Sequence, residues 1–279
     1  MRVFIIIFNI CLLLVVNFNS KGFSQILVGK TINNNKKPVP YVNIGVPGGK
    51  YGTISNVHGE FSINLDNIKV IDTIRFSSIG YNSKDFTKQD LLKKEGLIVQ
   101  LDEISYTLNE VRIYPNLNMT SFGKRKHHNN GGFGFGDFGI GYELARLFLN
   151  NEKHTLNEFY FHIRFNDYDS ILFRVNVYSR QNNHPNRVIN QFPLLIKTNI
   201  RNGWVKCDLS SANIKVEGDF YISVEGINGW CSDEIEEIKT IQLILSGNHD
   251  MKSITYIRRF SHAGWEEVIT MMDYYLTVY

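Results

Sequence analysis

The residues best suited to chemistry lie mostly in the second half of the chain. Asn166-Asp167-Tyr168-Asp169 and Ser232-Asp233-Glu234-Ile235-Glu236-Glu237 are oxygen-rich runs. Ca²⁺ takes about six to eight oxygen ligands, so Asp167 and Asp169 are candidate calcium ligands, with turn formation and solvation the alternative. Trp204, Trp230 and Trp265 could stack on a sugar face. Trp204 reads better as a packing residue. Trp230 sits in Asn228-Gly229-Trp230-Cys231, read as a loop, so Trp230 with nearby Asp233 is the candidate carbohydrate-binding pair. Cys207 and Cys231 could close one disulfide. The alternative is two buried thiols, because Cys207 shares a strand face with Val205 and Leu209.

Other strings resemble motifs without their context. Gly134-Phe135-Gly136-Asp137-Phe138-Gly139 matches the G-x-G-x-x-G of dinucleotide sites. That string binds a pyrophosphate only between a strand and a helix of a βαβ unit, and nothing before it reads as a strand. Asp137-Phe138-Gly139 lacks the other kinase elements. Lys124-Arg125-Lys126-His127-His128 could touch phosphates, and His127-His128 a metal, but no third or fourth ligand converges there and a solvated linker is expected. His162 points off a strand face and reads as a surface residue. G-x-S-x-G and H-E-x-x-H are both missing, so no catalytic residue is assigned. A hydrolase with a distant triad remains the remote alternative.

The elements that must hold these residues are strands. Apolar residues make up 43% of the chain and aromatics 13%, with 19 Phe and 14 Tyr, a composition that favours sheets. From Pro38 to Leu65, Val42, Ile44 and Val46 alternate with smaller or polar residues, as do Phe61, Ile63 and Leu65. A period of two marks half-buried strands, here two joined by a Gly- and Asn-rich connection. Ile26–Ile32, Ile71–Ser78 and the alternation Leu97, Val99, Leu101 add more, Val111 with Ile113 closes the module, and Asp90–Lys94 suits one helical turn. Residues 115–141 are rich in Gly, Phe and basic side chains and read as a linker. Gly141–Leu149 follows as a strand, with a short helix as the alternative. In Glu158–Phe165, Phe159, Phe161, Ile163 and Phe165 face one way. In Ile171–Tyr178, Ile171, Phe173, Val175 and Val177 face in while Leu172, Arg174 and Asn176 face out. Asn182–Asn186 reads as a loop, and Pro193 makes the next segment an edge strand. The fold class expected is all-β: two antiparallel β-sandwiches, the second jelly-roll-like, joined by a Gly-rich linker.

The N-terminus reads as an export signal. Arg2 precedes Val3–Val16, an uncharged, mostly apolar run of 14 residues. Gly22-Phe23-Ser24 then predicts cleavage after Ser24. A membrane anchor is the alternative, but the run is short of the roughly 20 residues a span needs. Cys11 lacks the small residue before it that a lipid-anchored leader requires. No later stretch reads as spanning. Removing Arg2 and Lys21 leaves 28 basic against 27 acidic side chains, a balance that gives no electrostatic case for nucleic acid or an anionic membrane.

Gly29, Pro38-Val39-Pro40-Tyr41-Val42-Asn43-Ile44, Gly52-Thr53-Ile54-Ser55-Asn56, Gly59-Glu60-Phe61, Phe76-Ser77-Ser78-Ile79-Gly80-Tyr81 and Leu108-Asn109-Glu110-Val111 stand in an order that resembles the carboxypeptidase regulatory-like domain. That resemblance covers residues 25–114. It implies a transthyretin-like sandwich, common in exported and outer-membrane proteins of Bacteroidetes-type bacteria, and transfers no catalytic residue. A zinc carboxypeptidase would need His-x-x-Glu and a distant His, yet no His here is followed three residues later by Glu. From Phe173 to Glu225 the pattern resembles uncharacterised β-sandwich domains of exported bacterial proteins, some of which are similar to carbohydrate-binding or adhesin jelly rolls. The sequence therefore predicts a signal peptide over 1–24, sandwiches over 25–114 and 142–279, and a linker over 115–141. It predicts a non-catalytic binding or accessory protein of the periplasm, outer membrane or cell surface. Its partner would be an envelope protein or glycan, with no cofactor unless Ca²⁺.

Overall fold

The computed structural model describes residues 25–93, 96–105, 119–129, 131–135, 141–232, 242–249, 254–260 and 262–279. The expected leader, Asp233 and the strand expected at Val111 and Ile113 lie outside these residues.

The first module runs β1 (Ile26–Asn33), β2 (Asn43–Gly45), β3 (Gly52–Ile54), β4 (Glu60–Asn64), β5 (Thr73–Ser77), β6 (Lys84–Thr87), the helical turn α1 (Lys88–Leu92) and β7 (Leu97–Leu101). Two sheets result, ordered β4-β1-β7 and β3-β2-β5-β6. Period-two burial is clean: Phe61 and Ile63 are buried while Ser62 and Asn64 are exposed. The inward residues of both sheets, among them Ile44, Phe61, Ile74, Phe76, Val99 and Leu101, make one core. The stretch expected to hold two strands holds three. Gly48, at φ 70°, lets the chain turn so that β3 folds back on β2, and β2 and β4 go to different sheets. A Cβ on Gly59 (φ 74°) would stand 2.4 Å from the Thr31 carbonyl oxygen, so the turn into β4 requires glycine. β1 and β7 pair in parallel, a departure from the antiparallel expectation. α1 begins two residues early because the Thr87 hydroxyl caps the Asp90 N–H at 3.1 Å.

The second module comprises β8 (Thr120–Phe122), β9 (Gly132–Gly134), β10 (Glu143–Phe148), β11 (Lys153–Asn166), β12 (Ser170–Gln181), β13 (His184–Val188), β14 (Leu194–Thr198), β15 (Gly203–Asp208), β16 (Lys215–Glu217), β17 (Phe220–Trp230), β18 (Leu243–Asn248), β19 (Thr255–Arg258), β20 (Glu266–Val268), β21 (Met271–Met272) and β22 (Tyr274–Val278). Among the described residues a seven-stranded sheet runs β13-β12-β17-β10-β19-β20 with β14 beside β12. An eight-stranded sheet is built on β11, with β18 and β22 on one path and β15 and β16 also pairing β11. Phe159, Phe161, Phe173, Val175, Ile222, Val224, Leu245 and Leu276 fill the space between the two sheets. Asn182 and Asn183, both at positive φ, form a two-residue hairpin turn into β13, where a longer loop was expected.

Three expectations need correction. The linker reading of residues 115–141 does not hold for its described part. β8 pairs β22, β9 pairs β18, and Phe135 is fully buried. The glycines are there because backbones meet: a Cβ on Gly131 would lie 2.3 Å from the Gly247 carbonyl oxygen. Phe165 does not share the face of Phe159, Phe161 and Ile163. A register shift between Ile163 and Phe165 turns it outward to 43% exposure. Arg174 and Asn176 do point away from their own core, yet both are buried: Arg174 reaches the first module, and Asn176 sits between Glu143 and Glu225.

Candidate functional site

The outer face of the seven-stranded sheet carries a buried charged network. β10 supplies Glu143, β12 supplies Arg174, Asn176 and Tyr178, β17 supplies Ser223 and Glu225, and β19 supplies Arg258. Antiparallel register sets Glu143 and Arg174 on either side of Glu225 and puts Arg258 opposite Glu143. Arg174 Nε donates to Glu225 Oε2 at 2.8 Å, and Asn176 Nδ2 donates to Glu143 Oε1 at 2.8 Å and to Glu225 Oε2 at 3.2 Å. The Tyr178 hydroxyl donates to Glu143 at 2.8 Å, the Ser223 hydroxyl donates to the same carboxylate, and Arg258 pairs with it. Burial alone would raise the Glu225 carboxyl, but the Arg174 and Arg258 charges and the hydrogen bonds from Arg174 and Asn176 hold it below the ordinary glutamate value. Two carboxylates face two guanidiniums, so the network is close to charge-balanced.

Arg174 carries this network into the first module. Its Nη1 donates to the Tyr41 carbonyl at 2.9 Å, and its Nη2 to the Asn43 side chain. From the loop between β19 and β20, His262 accepts the Gly48 N–H on its carbonyl at 2.8 Å, and its Nε2 lies 3.1 Å from Ser77 Oγ. Tyr41 and His262 both adopt positive φ, 55° and 66°. Non-glycine residues held there store backbone strain that surrounding contacts must offset, and both sit where the modules meet. Sequence reading had not singled out His262.

The outer face of the eight-stranded sheet is crossed by the basic run. The Arg125 guanidinium lies 5.1 Å from the Tyr160 ring centroid. His127 stacks on His162 with centroids 4.2 Å apart and planes within 6°. His128 engages Asp273 through its backbone N–H at 2.7 Å and Nδ1 at 2.8 Å. His162, expected at the surface, is 3% exposed and holds Ser246 Oγ at 2.8 Å. Burial, then His127, pushes its imidazole below the ordinary histidine value, against the pull of Asp273. The run expected to be a solvated linker is a strap, and its histidines stack and cap rather than ligate.

The sequence-selected residues are dispersed. Asp167 accepts the Gln242 N–H at 3.0 Å. Asp169 accepts the Ser232 N–H at 2.6 Å and Arg201 Nη2 at 2.9 Å. Both carboxylates thus organise turns, and no group of three or more His, Cys, Asp or Glu suited to a metal occurs among the described residues. Trp230 ends β17 rather than sitting in a loop; it is 37% exposed, and Lys197 Nζ covers its ring at 4.0 Å. Cys207 and Cys231 are both free: Cys207 faces the core on β15 opposite Phe159, while Cys231 follows β17 of the other sheet. Burial pushes the Cys207 thiol up to about 12. In the native protein Cys207 should resist iodoacetamide while Cys231 labels slowly, and both should label after unfolding. Peptide mapping by mass spectrometry checks this, and native labelling of Cys207 would contradict it.

A groove of about 480 Å³ opens where β10 outruns β19, between the edges of the two sheets. Arg146, Arg180, Tyr221, Tyr256 and Glu267 supply its polar lining; Leu149 and Ile254 stand at 69% and 44% exposure.

Two packed β-sandwiches joined through a buried ionic network define an all-β, two-module protein. Residues 27–113 match the CarboxypepD_reg-like domain family, so the N-terminal third is a domain of that kind, a non-catalytic regulatory domain. A comparison with curated protein sequences finds no match. Among solved structures, a variant of the Clostridial cysteine protease Cwp84 after propeptide cleavage aligns at 11% identity and a TM-score of 0.41. It covers 82% of this chain and 50% of that one. The cysteine protease and lectin-like domains of Cwp84 from Clostridium difficile align at 10% identity and a TM-score of 0.39, over 92% of this chain and 58% of that one. This chain thus spans about half the length of those it aligns with.

Proposed function

We propose that this protein is an exported, non-catalytic binding or accessory module of the cell envelope, whose partner is an envelope protein or glycan. The observation that carries this reading is the seating of a non-catalytic regulatory domain on the second sandwich through Arg174, Glu225 and His262. That docking uses the charged outer face of the seven-stranded sheet for assembly and leaves the groove for partners. No helix among the described residues is long and apolar enough to cross a membrane. The test is a pull-down from envelope fractions and a glycan array with the purified protein, with and without Ca²⁺. Saturable capture of one envelope component is expected. Turnover of a peptide or glycan substrate, abolished by one point mutation, would overturn the reading.

Carbohydrate recognition by the second sandwich is the other reading, and the partly exposed Trp230 favours it. Array binding lost in Trp230→Ala is its expected result; binding that survives the substitution would move the site elsewhere.

A further inference from the structure

The groove at the sandwich edge has an unusual charge arrangement. Arg146 lies on β10 with its side chain turned toward the second sheet. Its Nη1 donates to the carbonyls of Met272 at 2.9 Å and Tyr274 at 2.7 Å, and its guanidinium lies 5.3 Å from the Phe148 ring centroid. No carboxylate among the described residues comes within ion-pair distance of it. Asp273 acts on it from farther away and is itself engaged by His128. Burial lowers this guanidinium from its ordinary value. Arg180 also lines the groove, but Asp219 neutralises it. Arg146 is therefore a groove cation held directly by two backbone carbonyls and a ring face, with no carboxylate in contact among the described residues. A bound anion would offset its desolvation further.

A second charged group of the lining, Glu267, limits what that anion can be. The Tyr256 hydroxyl donates to Glu267 Oε1 at 2.8 Å, and no described group engages the second oxygen of Glu267. A ligand that placed only negative oxygens here, such as inorganic phosphate, would satisfy Arg146 and be repelled by Glu267. A ligand carrying one carboxylate together with hydroxyl donors satisfies both. The volume is in the small-ligand range, and Leu149 and Ile254 offer apolar contact to a ring's C–H face. We propose that this groove binds a uronic-acid saccharide, with its carboxylate on Arg146 and its hydroxyls on Glu267. The inference rests on the binding reading above, and supplies the site and the ligand class.

Calorimetric titration of the purified protein with digalacturonate tests it, alongside a neutral disaccharide of equal size, inorganic phosphate and an acidic tripeptide. Saturable heat with digalacturonate and none with the others is expected, with at least about a tenfold loss in Arg146→Gln. Because Arg146 also bonds the β21–β22 backbone, a second pair of variants avoids the fold. At the exposed rim, Leu149→Asp should weaken and Leu149→Lys strengthen digalacturonate binding, each several-fold, and low salt should widen the difference. Equal binding of the neutral disaccharide, preference for phosphate or the tripeptide, or Leu149 variants that shift affinity in one common direction would each overturn the proposal. No heat with digalacturonate, while envelope capture persists, removes this inference and leaves the broader reading. Loss of both removes the two together.

Discussion

Arg174→Ala should lower the unfolding free energy by about 3–5 kcal/mol and release the first module from the second. The side chain is 3% exposed and reaches three groups in two modules: Glu225, the Tyr41 carbonyl and the Asn43 side chain. Removing it leaves the Glu225 carboxylate, fully buried, facing Arg258 and Asn176 alone. Such a charge costs several kcal/mol when one partner is deleted, even where the intact pair adds little. Arg174→Lys should recover only part of the loss. An ammonium keeps the charge but lacks the planar fork that serves three acceptors at once. Replacing both partners, Arg174→Met with Glu225→Gln, should cost less than Arg174→Ala because no charge is stranded. Urea unfolding measures the energies, and small-angle scattering reads the docking. A single variant within about 1 kcal/mol of the parent, with unchanged scattering, would mean that the network does not hold the modules together.

Acidification should loosen the same interface through His262. Burial, then the nearby Arg258, depresses its imidazole to about 4; Arg75 adds to this, while an Asn43 hydrogen bond and Asp85 oppose it. The unfolded chain takes up the proton near the ordinary value of 6.5 and the folded one only near 4. The stability due to neutral His262 is thus fully present above pH 6.5 and is lost as pH falls toward 4. At pH 5 the loss amounts to about 2 kcal/mol. His162 shifts in the same direction, so the measurement is the difference between the parent and His262→Gln across pH 5 to 7. The parent should weaken more steeply. Parallel curves would show that His262 is not the group that titrates.

Much of the fold is legible in the chain because burial on one face of a strand leaves a period of two. Phe61 with Ile63 and Leu97 through Leu101 reveal themselves this way. What alternation cannot reveal is the environment of the other face. Arg174 carries the same polar signature whether water or a second module covers it, and here it is a module. Phe165 escaped because one bulge reverses every side chain beyond it, and a bulge leaves no mark in hydropathy. The Gly-rich stretch looked unstructured because glycine signals freedom in isolation, whereas Gly131 signals a backbone too close for any side chain. The candidate site was the least legible part. Glu143, Arg174, Glu225 and His262 come from strands and a loop far apart in sequence, and only sheet order and docking bring them together. Asp167, Asp169 and Trp230 drew notice through local composition, which here reports turns and a strand end.

The position of β22 bears on how the molecule is made. It lies beside β11 in the eight-stranded sheet, pairing Leu156 with Val278, so the second sandwich cannot close until residue 278 has emerged. The first module has its last described strand by Leu101 and can collapse much earlier. The nascent protein would then carry a finished domain whose docking groups, the Tyr41 carbonyl and Asn43, wait through the synthesis of the remaining strands. Pairings this distant in sequence also form slowly, which makes the interval between the two closures the stage at which the chain most needs protection from aggregation.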